Sequence, residues 1–162
     1  MFIEYSNEVW NTLFDQGKWA MSEGLRLGLS ADKYIAQYRY YAKRSNEIFE
    51  LATAVLSNNT INSKSFKIVR VLSTFTASTY ATNIIISYLN QIGGKADTLG
   101  ITAYFDCKQA GSGANAPFTA QKSIQDILAM CTSDIFNQVT DLLRIVKIAK
   151  NFNMTIQTYE GI

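Results

Sequence analysis

The stretch "MFIEYSNEVWN", residues 1–11, passes from a strand pattern into a helical one. Residues 2–5 alternate as in a strand, the polar Ser6-Asn7-Glu8 interrupts the alternation, and Val9-Trp10 begins an apolar pattern with helical spacing. A strand that leads directly into a helix is the first half of a βα unit. The predicted fold therefore depends on whether this succession recurs along the chain.

Three further segments have the composition of strands, because they are short and rich in β-branched or aromatic residues. The predicted strands are residues 2–5, 67–73, 99–105 and 154–159. Helical patterns fill the gaps between them. This alternation predicts parallel strands joined by right-handed crossovers, as in doubly wound sheets and (β/α)8 barrels.

Five helices are predicted from apolar residues that recur at helical spacing. The patterns cover residues 10–25, 34–55, 84–89, 124–131 and 135–146, and the fifth helix is expected to end near Asn151. Ser30 is the predicted cap of the second helix, and Gly93-Gly94 the predicted end of the third. Trp10 is placed on the apolar face of the first.

Four strands are too few for a complete barrel. The chain begins on a strand and stops within three residues of one, which would leave a parallel sheet with two bare edges. A complete (β/α)8 barrel takes roughly 250 residues. The predicted fold class is therefore α/β, a parallel-stranded partial (β/α)8 TIM barrel in which residues 1–162 form one domain of a larger barrel.

Composition excludes several classes of protein. Apolar residues make up 48% of the chain and charged residues 17%, which is typical of a globular protein. The net charge of +2 comes from scattered Lys and Arg residues, so no nucleic-acid partner is predicted. No run of about 18 apolar residues is present, so no membrane-spanning segment is predicted.

The residue types also limit the chemistry. No histidine is present, which excludes His-based zinc sites and His-based catalytic triads in this chain. Cys107 and Cys131 could form a disulfide, although two buried or free thiols are the more common arrangement. The loop "GSGANA" (111–116) does not lie directly between a strand and a helix, as a dinucleotide site requires. The sequence predicts neither a metal nor a cofactor.

Two glutamates share one topological position. Glu8 and Glu160 each follow a predicted strand at its C-terminal end. Taken singly, each has a structural explanation: Asn7 caps a helix whose positive end favours Glu8, and Glu160 is a surface turn residue. In a parallel sheet, however, both carboxylates would reach the same cleft, and two carboxylates facing one cleft are the apparatus of glycoside hydrolysis.

A resemblance points the same way. "EYSNEVWN" (4–11) together with "TYEGI" (158–162) resembles the clan of retaining (β/α)8 glycoside hydrolases. The order of these blocks with "YYAKRSNEIF" (40–49), "VRVLS" (69–73) and "AYF" (103–105) is similar to a family of bacterial glycosidases, some of them labelled cellulose-binding. The resemblance implies that the chain runs from strand four to strand seven of the barrel, with the remaining strands supplied by the full-length protein.

The resemblance also implies roles for four residues. Glu8 would be the general acid/base, Glu160 the nucleophile, and Asn7 a donor to the sugar 2-hydroxyl. Tyr104 would orient Glu160 or contact the sugar, with a core aromatic as the equal alternative. For retention, the two carboxyls should lie about 5–5.5 Å apart. The loop "STFTASTY" (73–80) lacks the Gln and the Asn-Pro expected of the family.

Two other functions stay open at this point. The first is a non-catalytic carbohydrate-binding barrel, a pseudoenzyme that would bind sugar without turnover. The second is a different parallel α/β protein, such as a flavodoxin-like domain with an interaction role. A doubly wound sheet would favour the latter, and a curved four-strand arc would exclude it.

Overall fold

The structure, a computed structural model, describes residues 1–57, 67–76, 78–103 and 121–161. In chain order the elements are β1 Phe2–Glu4, α1 Asp15–Arg26, α2 Lys33–Ser57, β2 Val69–Ser73, α3 Thr79–Gln91, β3 Thr98–Ala103, α4 Ile124–Asn151 and β4 Thr155–Gly161. The described chain is thus an α/β structure with a four-stranded sheet and four helices.

The sheet is parallel throughout, as predicted. Its strand order is β1-β2-β3-β4, and each neighbouring pair is parallel. Strand boundaries differ from the predicted ones by a few residues, since β1 ends at Glu4 and β4 continues to Gly161. A doubly wound sheet reverses its strand order at a switch point, and the described sheet has no such reversal.

The helices form one layer. α1 packs on α2, α2 on α3, and α3 on α4, while α2 also contacts β1 and β2. Successive right-handed crossovers in one direction place their helices on one face of the sheet. On that face Leu72, Leu99 and Ile156 lie in register across β2, β3 and β4, and they pack with the buried Ile85 and Ile145 of the helices.

The opposite face of the sheet carries smaller and more polar residues. Because side chains alternate along a strand, Glu4, Val71 and Thr98 form one row on this face, and Ser73 begins the next. The row continues onto β4, where the hydroxyls of Thr98 and Thr155 lie 2.6 Å apart. Ser73 and Thr98 are nevertheless buried.

The first helix differs from the prediction in its start and in its buried face. α1 begins at Asp15, after Trp10, and its N-cap Phe14 makes no side-chain capping bond, so the explanation of Asn7 as a helix cap is wrong. The buried residues of α1 are Gly17, Ala20 and Gly24. A Cβ on Gly24 would lie 2.2 Å from the carbonyl oxygen of Ala36, so small residues, rather than large apolar ones, bring α1 against α2.

Two further helix predictions are corrected. The cap of α2 is Asp32, not Ser30, because Asp32 Oδ1 accepts from the backbone N–H groups of Tyr34 and Ile35 at 2.9 Å each. The predicted fourth and fifth helices are one helix, α4, which begins at a capping box formed by Ser123 and Asp126. The predicted end of α3 is confirmed, since it stops just before Gly93, whose φ is +77°.

Cys131, on α4, is disulfide-bonded. Among the described residues there is no free cysteine, so the expectation of two free or buried thiols is wrong. Cys107 is the other cysteine of the sequence and lies outside the described residues. None of the described helices is both long and apolar enough to cross a membrane.

Candidate active site

The segment that follows β1 leaves the carboxyl edge of the sheet in an unusual backbone conformation. Ser6 has a φ of 57° and Glu8 a φ of 46°, both in the left-handed region. This region costs a residue other than glycine about 1–2 kcal/mol, so surrounding contacts must hold it. The second of the two strained residues is the glutamate that the sequence singled out as the general acid/base.

Two glutamine side chains hold the backbone on either side of Glu8. Gln16 of α1 donates from Nε2 to the carbonyl oxygen of Asn7 at 2.9 Å. Gln37 of α2 donates from Nε2 to the carbonyl oxygen of Val9 at 2.6 Å. Gln37 and Val9 are both buried, so this second bond is shielded from water. The strained turn is therefore tied to both helices that follow it.

A glycine allows α1 to approach the same segment. A Cβ on Gly17 would lie 2.2 Å from the carbonyl oxygen of Asn11 and 3.2 Å from that of Val9. No side chain fits at this distance. The sequence pattern included Gly17 in the predicted helix over residues 10–25 but gave no reason for a glycine there, and the close contact now supplies that reason.

Asn11 connects this segment to the Glu8 carboxylate. Its side-chain Nδ2 donates to Glu8 Oε2 at 3.0 Å, and its backbone N–H donates to the Glu8 carbonyl at 2.9 Å. Its Oδ1 accepts from the backbone N–H of Leu13 at 3.0 Å. Glu8 is half-buried. Sequence reasoning quoted Asn11 within the motif but assigned it no role.

Aromatic rings support the segment from the helix side. The ring of Tyr5 stacks on that of Tyr41 of α2, with centroids 6.2 Å apart, and Trp10 meets Tyr41 edge-on at the same distance. Tyr41 is buried, and its hydroxyl oxygen accepts from the backbone N–H of Ser73 at 2.9 Å. One tyrosine thus joins the turn after β1 to the end of β2.

The other predicted site residues are placed only in part. Asn7 is exposed at the carboxyl edge, beside Glu8. The backbone of Glu160 lies in β4 opposite Thr102, just past a register shift at Ile101. The Glu160 side chain and the whole of Tyr104 lie outside the described residues. Parallel pairing brings the carboxyl ends of β1 and β4 to one edge, and the separation of the two carboxyls stays a prediction.

A second carboxyl that the sequence did not single out lies at the end of β1. Burial raises the pKa of Glu4, and the nearby Ser73 hydroxyl lowers it to a smaller extent. The two side chains lie close together, but Glu4 Oε1 and Ser73 Oγ are both buried and neither atom makes a well-oriented hydrogen bond. The strand pattern that predicted β1 treated Glu4 only as an alternating residue.

A cavity of about 280 Å³ lies between α2 and α3, away from Glu8. Arg39 extends over the ring of Tyr88 at 5.4 Å and donates to the carbonyl oxygen of Leu29 at 2.6 Å. The lining residues are Arg39, Tyr80, Asn83, Ile84, Ser87, Tyr88 and Gln91. None of the predicted site residues is among them.

Comparison with known proteins adds no relative. No protein-family model matches the chain, and neither a curated protein nor a solved structure matches it. Within the part of the chain that the structure describes, no group of three or more His, Cys, Asp or Glu side chains could hold a metal ion.

Proposed function

We propose that this chain is part of a retaining glycoside hydrolase that acts on a β-linked poly- or oligosaccharide through Glu8 and Glu160. The observation that supports the proposal most directly is the conformation of Glu8. It lies in the left-handed region at the carboxyl edge of a parallel sheet, in a turn held by two helices. Backbone strain of this kind is characteristic of functional sites.

The strand order supports a barrel arc over a doubly wound sheet. Neighbouring strands follow one another in sequence order without reversal, and the helices form one layer on one face. Four consecutive (β/α) units of a barrel have this arrangement, and their carboxyl edge is where barrel enzymes place their active sites. The proposal therefore assigns the chain to strands four to seven and requires the other strands of the full-length protein.

The proposed reaction proceeds in two steps at the anomeric carbon. Glu160 attacks this carbon while Glu8 gives its proton to the departing glycosidic oxygen, which leaves a covalent glycosyl-enzyme. Glu8 then takes a proton from a water molecule, whose oxygen attacks the same carbon and releases Glu160. Asn7 would bind the sugar 2-hydroxyl, and Tyr104 would orient Glu160. No metal or cofactor takes part in either step.

Activated aryl glycosides test the proposal in the full-length protein. Glu160→Ala should lower turnover roughly 10⁴-fold or more, because no other group can form the covalent intermediate. Azide should restore part of this turnover by attacking from the vacated position, with a glycosyl azide of inverted configuration as the product. Unchanged hydrolysis in Glu160→Ala would exclude the mechanism.

Glu8→Gln separates the second role, and Glu50→Gln is its control. Glu8→Gln should lower kcat/KM, which reports the first step, about 10²–10⁴-fold for substrates whose leaving group needs a proton and much less for activated aryl glycosides. Glu50 is an exposed carboxylate on α2 whose partner is Asn46, so its replacement should change neither substrate class. Equal losses of kcat/KM for both substrate classes would contradict the acid/base role of Glu8.

A second candidate is a non-catalytic carbohydrate-binding protein, and the cavity between α2 and α3 favours it. Tyr80 is 62% exposed and lines this cavity together with the stacked Arg39 and Tyr88. Aromatic faces next to amide and guanidinium donors suit a neutral sugar. This candidate predicts sugar affinity that Tyr80→Ala abolishes and Glu8→Gln leaves unchanged, with no hydrolysis by the wild-type protein.

A further inference from the structure

We propose that Asn11 is the positioning residue for Glu8, and that it leaves Glu8 Oε1 as the oxygen that exchanges the proton. This inference rests on the proposed function. It concerns a residue that makes no contact with the reacting atoms and acts only through the Glu8 carboxylate.

The oxygen and the nitrogen of the Asn11 side-chain amide bind different partners. Oδ1 accepts from the backbone N–H of Leu13 at 3.0 Å, which forms a common side-chain turn that needs no other partner. Nδ2 instead donates to Glu8 Oε2 at 3.0 Å, a bond that the turn does not require. With Oε2 engaged by a donor, Oε1 is the carboxyl oxygen that can carry and deliver a proton.

Asn11 can orient a carboxylate because its own backbone is fixed. Its N–H donates to the Glu8 carbonyl at 2.9 Å, and its carbonyl accepts from Phe14 at 3.2 Å. The same carbonyl lies where a Cβ on Gly17 would come within 2.2 Å, so α1 closes over it. The position of α1 therefore fixes Asn11, and Asn11 in turn orients the Glu8 carboxylate. A fixed supporting side chain of this kind sets the geometry of the reacting side chain that it contacts.

Asn11→Asp tests the inference because it is isosteric and keeps Oδ1 for Leu13 while it replaces the donor to Glu8 with an acceptor. In the full-length enzyme kcat should fall about 10²-fold, and KM should stay within about threefold. The alkaline limb of the kcat/KM profile should move to higher pH, because a second carboxylate beside Glu8 disfavours loss of its proton.

Asn46→Asp is the matched control. Asn46 also donates from Nδ2 to a glutamate, Glu50 Oε1, at 2.7 Å on α2. The same change of charge and the same loss of a donor there should leave kcat and the pH profile as in the wild type. If Asn11→Asp fails to fold, Asn11→Ser replaces it, since a serine hydroxyl still accepts from Leu13 but is too short to reach Glu8.

The decisive measurement is a double-mutant cycle with Glu8→Gln on activated substrates. If Asn11 acts through Glu8, Asn11→Asp should cause little further loss in the Glu8→Gln background. An equal loss in both backgrounds, or an Asn11→Asp enzyme that behaves like Asn46→Asp, would overturn the positioning role and leave the proposed function intact. A wild-type protein without hydrolysis would refute the proposed function, and the positioning role with it.

Discussion

The amino and carboxyl edges of the sheet are built in opposite ways. At the amino edge, charged and polar groups are paired with one another across the strands. At the carboxyl edge, two left-handed residues and two buried polar atoms without hydrogen bonds lie around the end of β1, whereas the amino edge has one left-handed residue, Asn153, with a φ of 55°. The difference separates the part of the fold that secures the strands from the part that the proposed reaction would use.

The amino edge depends on Arg70 and Asp97. The Arg70 guanidinium makes two bonds to the Asp97 carboxylate, at 2.7 and 2.9 Å, and the Arg70 backbone N–H adds a third at 2.8 Å. The Asp97 backbone then bonds to the Arg70 carbonyl, and its own carbonyl accepts from Thr155 at 3.0 Å. These contacts tie β2, β3 and β4 at their start and leave the Asp97 carboxylate fully engaged.

The carboxyl edge contains Ser6 and Glu8 at positive φ, together with the buried Glu4 Oε1 and Ser73 Oγ, which make no hydrogen bond of acceptable geometry. Buried polar atoms in this state are few in native proteins, and strained residues cluster where binding or catalysis occurs. In parallel barrels the carboxyl edge holds the active site and the opposite edge serves stability. Four predictions test this division, the first two by stability or structure and the last two by the pH dependence of stability.

The largest effect on stability is expected from Gly17→Ala, which places a Cβ 2.2 Å from the Asn11 carbonyl at the carboxyl edge. Overpacking of this kind should lower the free energy of unfolding by about 1–3 kcal/mol, measured by urea denaturation. Because Asn11 must move, the Glu8 turn should move with it, and the backbone amide NMR signals of residues 6–11 should shift.

Gly24→Ala is the control for this change. Its Cβ would meet the Ala36 carbonyl at the same 2.2 Å, but within the packing of α1 on α2. The loss of stability should be similar, and the signals of residues 6–11 should stay near their wild-type positions. If both variants disturbed the Glu8 turn equally, the turn would not depend on the local contact at Gly17.

The sheet was predicted well because the composition of each strand distinguishes it from the helices around it. Short β-branched segments located all four strands to within a few residues, and their alternation with helices gave the parallel topology. The predicted start of α1 was wrong for a physical reason: the helix buries Gly17 and Gly24, whereas Leu13, a large apolar residue within the predicted range 10–25, is 83% exposed. Close packing of small residues leaves no signal in the spacing of large ones.

The division of α4 into two helices was wrong because the two apolar patterns are interrupted at residues 132–134. The helix continues through these residues, and Thr132 donates back to the Leu128 carbonyl at 2.9 Å. The positive φ of Glu8 and the Asn11 bond could not be predicted from single residues, because they arise from how α1 and α2 close on the turn. Only the position of Glu8 directly after a predicted strand indicated the candidate active site.

A smaller effect is expected from Asp97→Asn at the amino edge. Loss of the charge-assisted bonds should cost about 1 kcal/mol, because both side chains are partly exposed and solvent screens the pair. Asp141→Asn, which breaks the exposed pair with Arg144 on α4, should cost close to nothing. Activity of the full-length protein should be unchanged in Asp97→Asn, and a large loss of kcat would contradict the division between the edges.

The pH dependence of the Asp97→Asn effect follows from its carboxylate. Arg70 holds the pKa of Asp97 below its ordinary value of 3.8. The stabilisation is therefore present above about pH 4 and is lost as the pH falls through the lower folded pKa. Urea denaturation at a series of pH values should show wild type and Asp97→Asn converging at the acid end. Curves that stay parallel down to low pH would mean that the ionised carboxylate contributes nothing.

The smallest effect is expected from Glu4→Gln, and its pH dependence should have the opposite sign. Burial raises the pKa of Glu4 above its ordinary value of 4.5. Below that pH both folded and unfolded chains hold the proton. As the pH rises from there through the higher folded pKa, the folded chain must ionise a buried group and loses stability. Glu4→Gln lacks this loss, so the variant should be more stable than the wild type only above about pH 4.5. The gain in the free energy of unfolding should be a few tenths of a kcal/mol, because Glu4 is still partly exposed to solvent.

The contrast between these two difference curves is the sharpest test of the two edges. Asp97→Asn should approach the wild type as the pH falls, and Glu4→Gln should depart from it as the pH rises. The differences in stability between variant and wild type then have opposite signs as the pH rises. This result requires one carboxylate whose ionised form is stabilised by its partners and one whose ionised form is destabilised by burial. If Glu4→Gln instead lost stability at neutral pH in the manner of Asp97→Asn, Glu4 would be a paired structural carboxylate. The carboxyl edge would then be built on the same principle as the amino edge.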